Sequence, residues 1–66
     1  MDKEEIKKLG GLVGKGVELT VDEKIIHAKL LKIQGKNLIL ADLDSGKKLV
    51  FNAEKVKSVK AYSEDQ

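Results

Sequence analysis

Asn37-Leu38-Ile39-Leu40-Ala41-Asp42-Leu43, closed by Asp44-Ser45-Gly46 and resumed as Lys47-Lys48-Leu49-Val50-Phe51, reads as a β-hairpin. Its first strand is apolar on both faces. A half-buried surface strand alternates apolar and polar residues, so a strand without that alternation is covered on both sides. The second cover must come from the N-terminal segment or from another subunit, which points to a small barrel able to assemble. Gly46 is available for the positive φ that a tight hairpin turn needs.

Upstream, Val17-Glu18-Leu19-Thr20-Val21 alternates cleanly and predicts a strand with Val17, Leu19 and Val21 inward. Asp22-Glu23-Lys24 is a polar turn. Residues 25–33 form a long second strand in which Ile26, Ala28 and Leu30 share one face and Leu31 and Ile33 the other. A bend or bulge near Leu30-Leu31 would bury both sets. Gln34-Gly35-Lys36 makes the next turn. Downstream, residues 48–52 form the fourth strand with Phe51 in the core, Ala53-Glu54-Lys55 a single helical turn, and residues 56–61 a last strand.

At the start of the chain, Asp2 and Glu5 fit a capping box. Ile6 and Leu9 mark the apolar face of a short helix over residues 2–10, which Gly10-Gly11 should end. A helix this short is marginal alone and should dock both residues on something apolar. Residues 62–66 should form a frayed tail. The expected architecture is one domain over residues 1–66, mainly β: a short N-terminal α-helix and a strongly bent, five-stranded SH3-like β-barrel over residues 16–61.

Sixty-six residues lie near the lower limit for a self-sufficient core, because a chain of this size buries only about 60% of its unfolded surface. There is no cysteine to staple it and no Cys/His cluster to hold a structural metal, so packing or oligomerisation must stabilise it. The lack of cysteine fits a reducing compartment. The charged opening Met1-Asp2-Lys3-Glu4-Glu5 leads into no long apolar run. That pattern predicts neither signal peptide nor transmembrane helix, no membrane partner, and a cytoplasmic location.

All thirteen basic residues are lysine, against eleven acids, for a net charge of +2. Arginine is the residue of forked guanine and phosphate readout, so its absence argues against sequence-specific reading of a major groove. Phe51 and Tyr62 are the only aromatic residues, which leaves little for base-stacking platforms.

Leu30-Leu31-Lys32-Ile33-Gln34 running into Asn37-Leu38-Ile39-Leu40 resembles the first motif of the Sm-like superfamily, which includes Sm, LSm and bacterial Hfq proteins. Leu49-Val50-Phe51 followed by Val56-Lys57-Ser58-Val59 resembles the second motif, and the order of elements matches over residues 4–61. The chain departs from the family pattern: Gln34 stands where the loop aspartate is expected, the loop is about one residue short, and Asn52, Ala53 and Glu54 stand where an Arg-Gly or Lys-His pair is expected. The resemblance implies an Sm-like, Hfq-like barrel that forms a homo-oligomeric ring by pairing the fourth strand of one subunit with the fifth of the next. It also implies contact with single-stranded RNA. Asn37 would hydrogen-bond a base edge and Lys36 a phosphate, with Lys55 and Lys57 as further RNA contacts. Gly14-Lys15-Gly16 through Val59 is similar as well to the C-terminal barrel of the ribosome maturation factor RimP, which implies a non-catalytic ribosome-assembly or protein-interaction module with a protein partner.

Each candidate has a plainer reading. Gly35-Lys36-Asn37 is also ordinary turn chemistry. The lysines 47, 48, 55, 57 and 60 are also a solvated face that protects an edge strand. His27, the one histidine, has no clustered second ligand and should be an outward strand residue, which predicts no metal. Gly14-Lys15 lacks the flanking glycine and hydroxyl residue of a P-loop and precedes a strand, so Gly10 to Gly16 is a hinge and no nucleotide cofactor is expected. Tyr62 is a candidate to stack on a base or to cover the barrel mouth. Ser45, Ser58 and Ser63 have no base or orienting acid in recognisable context, so no catalytic residue and no enzyme are expected.

Overall fold

A computed structural model of the chain describes residues 3–62. It is mainly β: five antiparallel strands preceded by a short helix. The helix α1 (Lys3–Leu9) continues as a 3-10 turn over Gly10–Leu12. The strands are β1 (Gly16–Val21), β2 (Lys24–Gln34), β3 (Asn37–Asp42), β4 (Lys48–Asn52) and β5 (Val56–Ala61), with a second 3-10 turn, Ala53–Lys55, before β5. The sheet order is β4-β3-β2-β1-β5, so β4 and β5 stand at its two ends.

The inner face follows from alternation. Val17, Leu19 and Val21 of β1 are buried, as their spacing predicts, together with Ala28 and Leu30 of β2 and Leu38 and Leu40 of β3. Leu9 of α1 and Val56 of β5 complete this cluster, and Leu12, Ile26, Ile33, Leu49, Phe51 and Val59 pack around it. The N-terminal segment thus contributes Leu9 and Leu12 to the inner face. Ile6 is only half-buried and lies outside that cluster. The α-helix ends at Leu9, where Gly10-Gly11 is expected to stop it, and the glycines open the 3-10 turn. The proposed Asp2 cap and the residues after Tyr62 lie outside the described residues.

A bulge in β2 falls where the mixed apolar phase predicts it. Leu30 pairs with Leu40 and Lys32 with Ile39, which leaves Leu31 as the extra residue. The consequence differs from the expectation that both apolar sets are buried. After the bulge the phase reverses, so Ile33 rejoins the inner face opposite Leu38, while Leu31 is 42% exposed. One inserted residue returns Ile33 to the core at the expense of Leu31. A second irregularity, between Thr20 and Val21 in the β1–β5 ladder, bends the other side of the sheet.

Local contacts fix three of the connections between strands. Val21 pairs with Lys24 across Asp22-Glu23, both at positive φ (49° and 66°). Asp42 Oδ1 accepts the N–H groups of Asp44 (2.7 Å) and Ser45 (3.1 Å) in the β3–β4 turn, where Gly46 takes φ 75°. Asn52 caps the second 3-10 turn, its Oδ1 accepting the Glu54 N–H at 2.8 Å. The stretch Gly10 to Gly16 is tied to β2 rather than swinging free. Gly14 N–H donates to Leu30 O (2.7 Å), and Leu30 N–H donates to Lys15 O (3.0 Å). Gly16 allows the close approach of Tyr62, because a Cβ there would sit 2.7 Å from the Tyr62 carbonyl oxygen and force the backbone to shift.

Candidate nucleic-acid interface

Asn37 opens β3, and the antiparallel register sets Gln34 on one side of it and Asn52 on the other. Three amides therefore form a row across β2, β3 and β4 at one end of the sheet. All three residues are exposed. The second 3-10 turn is fastened to the same end, since Ala53 N–H donates to Lys36 O at 2.7 Å. The β2–β3 turn, with Lys36 and Asn37, and the segment Asn52 to Lys55 thus meet here.

The electrostatics of this corner are mixed. Lys36 Nζ donates to Glu54 Oε1 at 3.1 Å, between two exposed side chains. Such a pair contributes about 0–1 kcal/mol and is screened by salt, so it holds Lys36 only loosely. Lys55 is exposed on the turn itself. Lys57 lies elsewhere: it lines a groove between α1 and β5, with Glu5, Lys8, Leu9, Leu12, Ser58 and Val59. The structure gathers Lys36, Asn37 and the turn bearing Lys55, and sets Lys57 apart at the bulge of β5.

A cluster that motif reading does not reveal occupies the outer face of β1, β2 and β5. Glu18 accepts from Lys60 Nζ through Oε2 at 3.0 Å, and its Oε1 lies 3.0 Å from His27 Nε2. The hydrogen bonds from His27 and Lys60 hold the Glu18 carboxyl below its usual range. Tyr62 stacks on His27 with ring centroids 3.8 Å apart and planes 9° from parallel, while its N–H donates to Gly16 O at 3.0 Å. One face of the Tyr62 ring is thereby covered by His27. The signal for this cluster was register rather than motif. A two-residue turn at Asp22-Glu23 puts Val21 opposite Lys24, which places Glu18 opposite His27.

Among the described residues, no three His, Cys, Asp or Glu side chains lie together as a metal site, and no helix is long and apolar enough to cross a membrane. No family model, curated protein or solved structure matches the chain.

Proposed function

We propose that this domain is a non-catalytic, Sm-like RNA-binding module that assembles as a homo-oligomeric ring and contacts single-stranded RNA through Lys36 and Asn37, with Lys55 beside them. The observation that carries the reading is the row of Gln34, Asn37 and Asn52 next to Lys36 and the Ala53–Lys55 turn. The amides of Gln34 and Asn37 donate and accept in one plane, which suits the edges of unpaired bases, Asn52 braces the adjoining turn as its cap, and lysine supplies a point charge for phosphate. Assembly is supported by β4 and β5 standing at opposite ends of the sheet order, where each can pair with the other in a neighbouring subunit. Lys57 is the weaker contact, since it faces the α1–β5 groove.

The test has two parts. Mass in solution should correspond to five or more subunits, and the assembled protein should bind short oligo(U) with an affinity that falls as salt rises. A strict monomer, or an intact oligomer with no measurable binding at low salt, would remove the reading. A second reading is a cytoplasmic protein-interaction module, resembling the RimP C-terminal barrel. It draws support from the Lys36–Glu54 pair, which neutralises one of the cations intended for phosphate.

A further inference from the structure

The register sorts the outer face of β2, β3 and β4 into rows. Below the amide row come Lys32, Ile39 and Val50, and then Lys29, Ala41 and Lys48. No carboxylate occurs in these rows. Lys29, Lys32 and Lys48 are all exposed and, among the described residues, none has an ion-pair partner. At the margins, Asp42 Oδ1 is engaged in the β3–β4 turn and Glu54 with Lys36. Between the lysines the floor is aliphatic. Ile39 is 7% exposed although it is no part of the central cluster, Val50 is 57% exposed, and the bulge residue Leu31 adds an exposed aliphatic side chain beside the Ile39 row.

We propose that this face docks an acidic amphipathic helix of a partner protein. Charge selects the occupant. A second copy presenting the same face would set three lysines against three lysines, which like-charge repulsion disfavours. A nucleic acid would meet the cations but find branched aliphatic side chains instead of the aromatic rings on which bases stack. An apolar stripe flanked by carboxylates satisfies both features. The span fits as well: β2 and β4 are about 10 Å apart across β3, close to the diameter of one helix at about 10–12 Å. Its leucines would cover Val50 and Leu31, on either side of the buried Ile39, while its acids reach Lys32 in that row and Lys29 and Lys48 in the next. The site leaves the β4 edge free and is independent of the RNA reading.

The probe is a labelled amphipathic peptide with leucine at positions i, i+3, i+4 and i+7 and glutamate on the flanks, titrated against the full chain. Its counterpart carries lysine in place of glutamate. The glutamate peptide should bind with salt-sensitive affinity and shift the backbone amide resonances of Lys32, Ile39 and Val50. Val50→Glu and Lys48→Glu, both at exposed positions, should each weaken it at least tenfold with unchanged circular dichroism, and Lys36→Ala should leave it unaltered. Equal binding of the lysine peptide, no loss in either variant, or resonance shifts elsewhere would overturn the proposal. So would oligo(U) or anionic phosphatidylserine vesicles binding through Val50 and Lys48 where the peptide does not.

Discussion

The outer face of the sheet has two halves built from similar residues in different balance. On the β1–β5 half, the single carboxylate of Glu18 holds both His27 and Lys60, and Tyr62 lies flat on the imidazole. On the β3–β4 half, Lys29, Lys32 and Lys48 surround Ile39, Ala41 and Val50 with no carboxylate among them. In the first half the polar groups answer one another, which is the arrangement expected of a surface that holds β5 and Tyr62 in place. In the second the charges and the exposed aliphatic groups are left to the surroundings, which is how binding surfaces differ from inert ones. The inner faces show no such contrast, since Leu19 and Leu40 are both fully buried.

The largest expected effect sharpens that inner equivalence. Leu19→Ala and Leu40→Ala should each lower unfolding stability by about 2–5 kcal/mol, because each leaves a cavity in one continuous core. Val50→Ala should change it by no more than about 0.5 kcal/mol. Urea denaturation of the three variants makes the comparison. A large loss at Val50 would mean that the β3–β4 outer face is already covered within the native assembly.

Next comes a substitution that breaks the β1–β5 half. Gly16→Ala brings a Cβ within 2.7 Å of the Tyr62 carbonyl, and relieving such overpacking costs about 1–3 kcal/mol. The backbone at Tyr62 must shift, so the ring-current signature of Tyr62 on the His27 protons should weaken. Unchanged His27 shifts would show that the stack does not depend on the Gly16–Tyr62 backbone contact.

How much of this was legible in the sequence depends on the range of the signal. The β3–β4 hairpin, the Ala53–Lys55 turn and β5 are local: apolar runs and an Asp-Ser-Gly turn announce them. The bulge near Leu31 was legible as a conflict of phase. Which residue it expels was not, because alternation is equally well restored by turning out Leu30, Leu31 or Lys32; only packing against Leu38 and Leu40 decides. The Asp22-Glu23 turn carries neither Gly nor Asn, although both residues take positive φ, so the usual residue signal for a two-residue turn is absent. Without that turn the pairing of Glu18 with His27 cannot be placed. The β1–β5 pairing that brings Lys60 to Glu18 joins the sheet across most of the chain, beyond any local pattern.

Acid tests the balance within the first half. The Glu18 pKa is lowered in the folded protein, chiefly by its hydrogen bonds to His27 and Lys60. A depressed carboxylate pKa contributes stability above the ordinary glutamate range, and that contribution is lost as pH falls through the folded value. Wild type should therefore exceed Glu18→Gln in stability at neutral pH, with the difference closing as the solution is acidified below the ordinary glutamate range. Parallel stability–pH curves for the two proteins would deny Glu18 this role.

The smallest expected change in stability belongs to Lys36, at the corner where the β2–β3 turn meets the Ala53–Lys55 turn. Its ion pair with Glu54 is solvent-exposed, so Lys36→Ala should alter unfolding stability by less than about 1 kcal/mol. The same variant should weaken oligo(U) binding and make the plot of log affinity against log salt shallower by about one unit of slope, as expected when a single phosphate is no longer neutralised. Glu54→Gln acts in the opposite sense: it releases Lys36 from its carboxylate and should tighten oligo(U) binding at low salt. The pair of variants separates two roles for one lysine. If Lys36→Ala costs stability while both variants leave RNA affinity unchanged, the Lys36–Glu54 contact is a clasp between loops, and the β2–β3 turn belongs with the self-satisfied half of the surface.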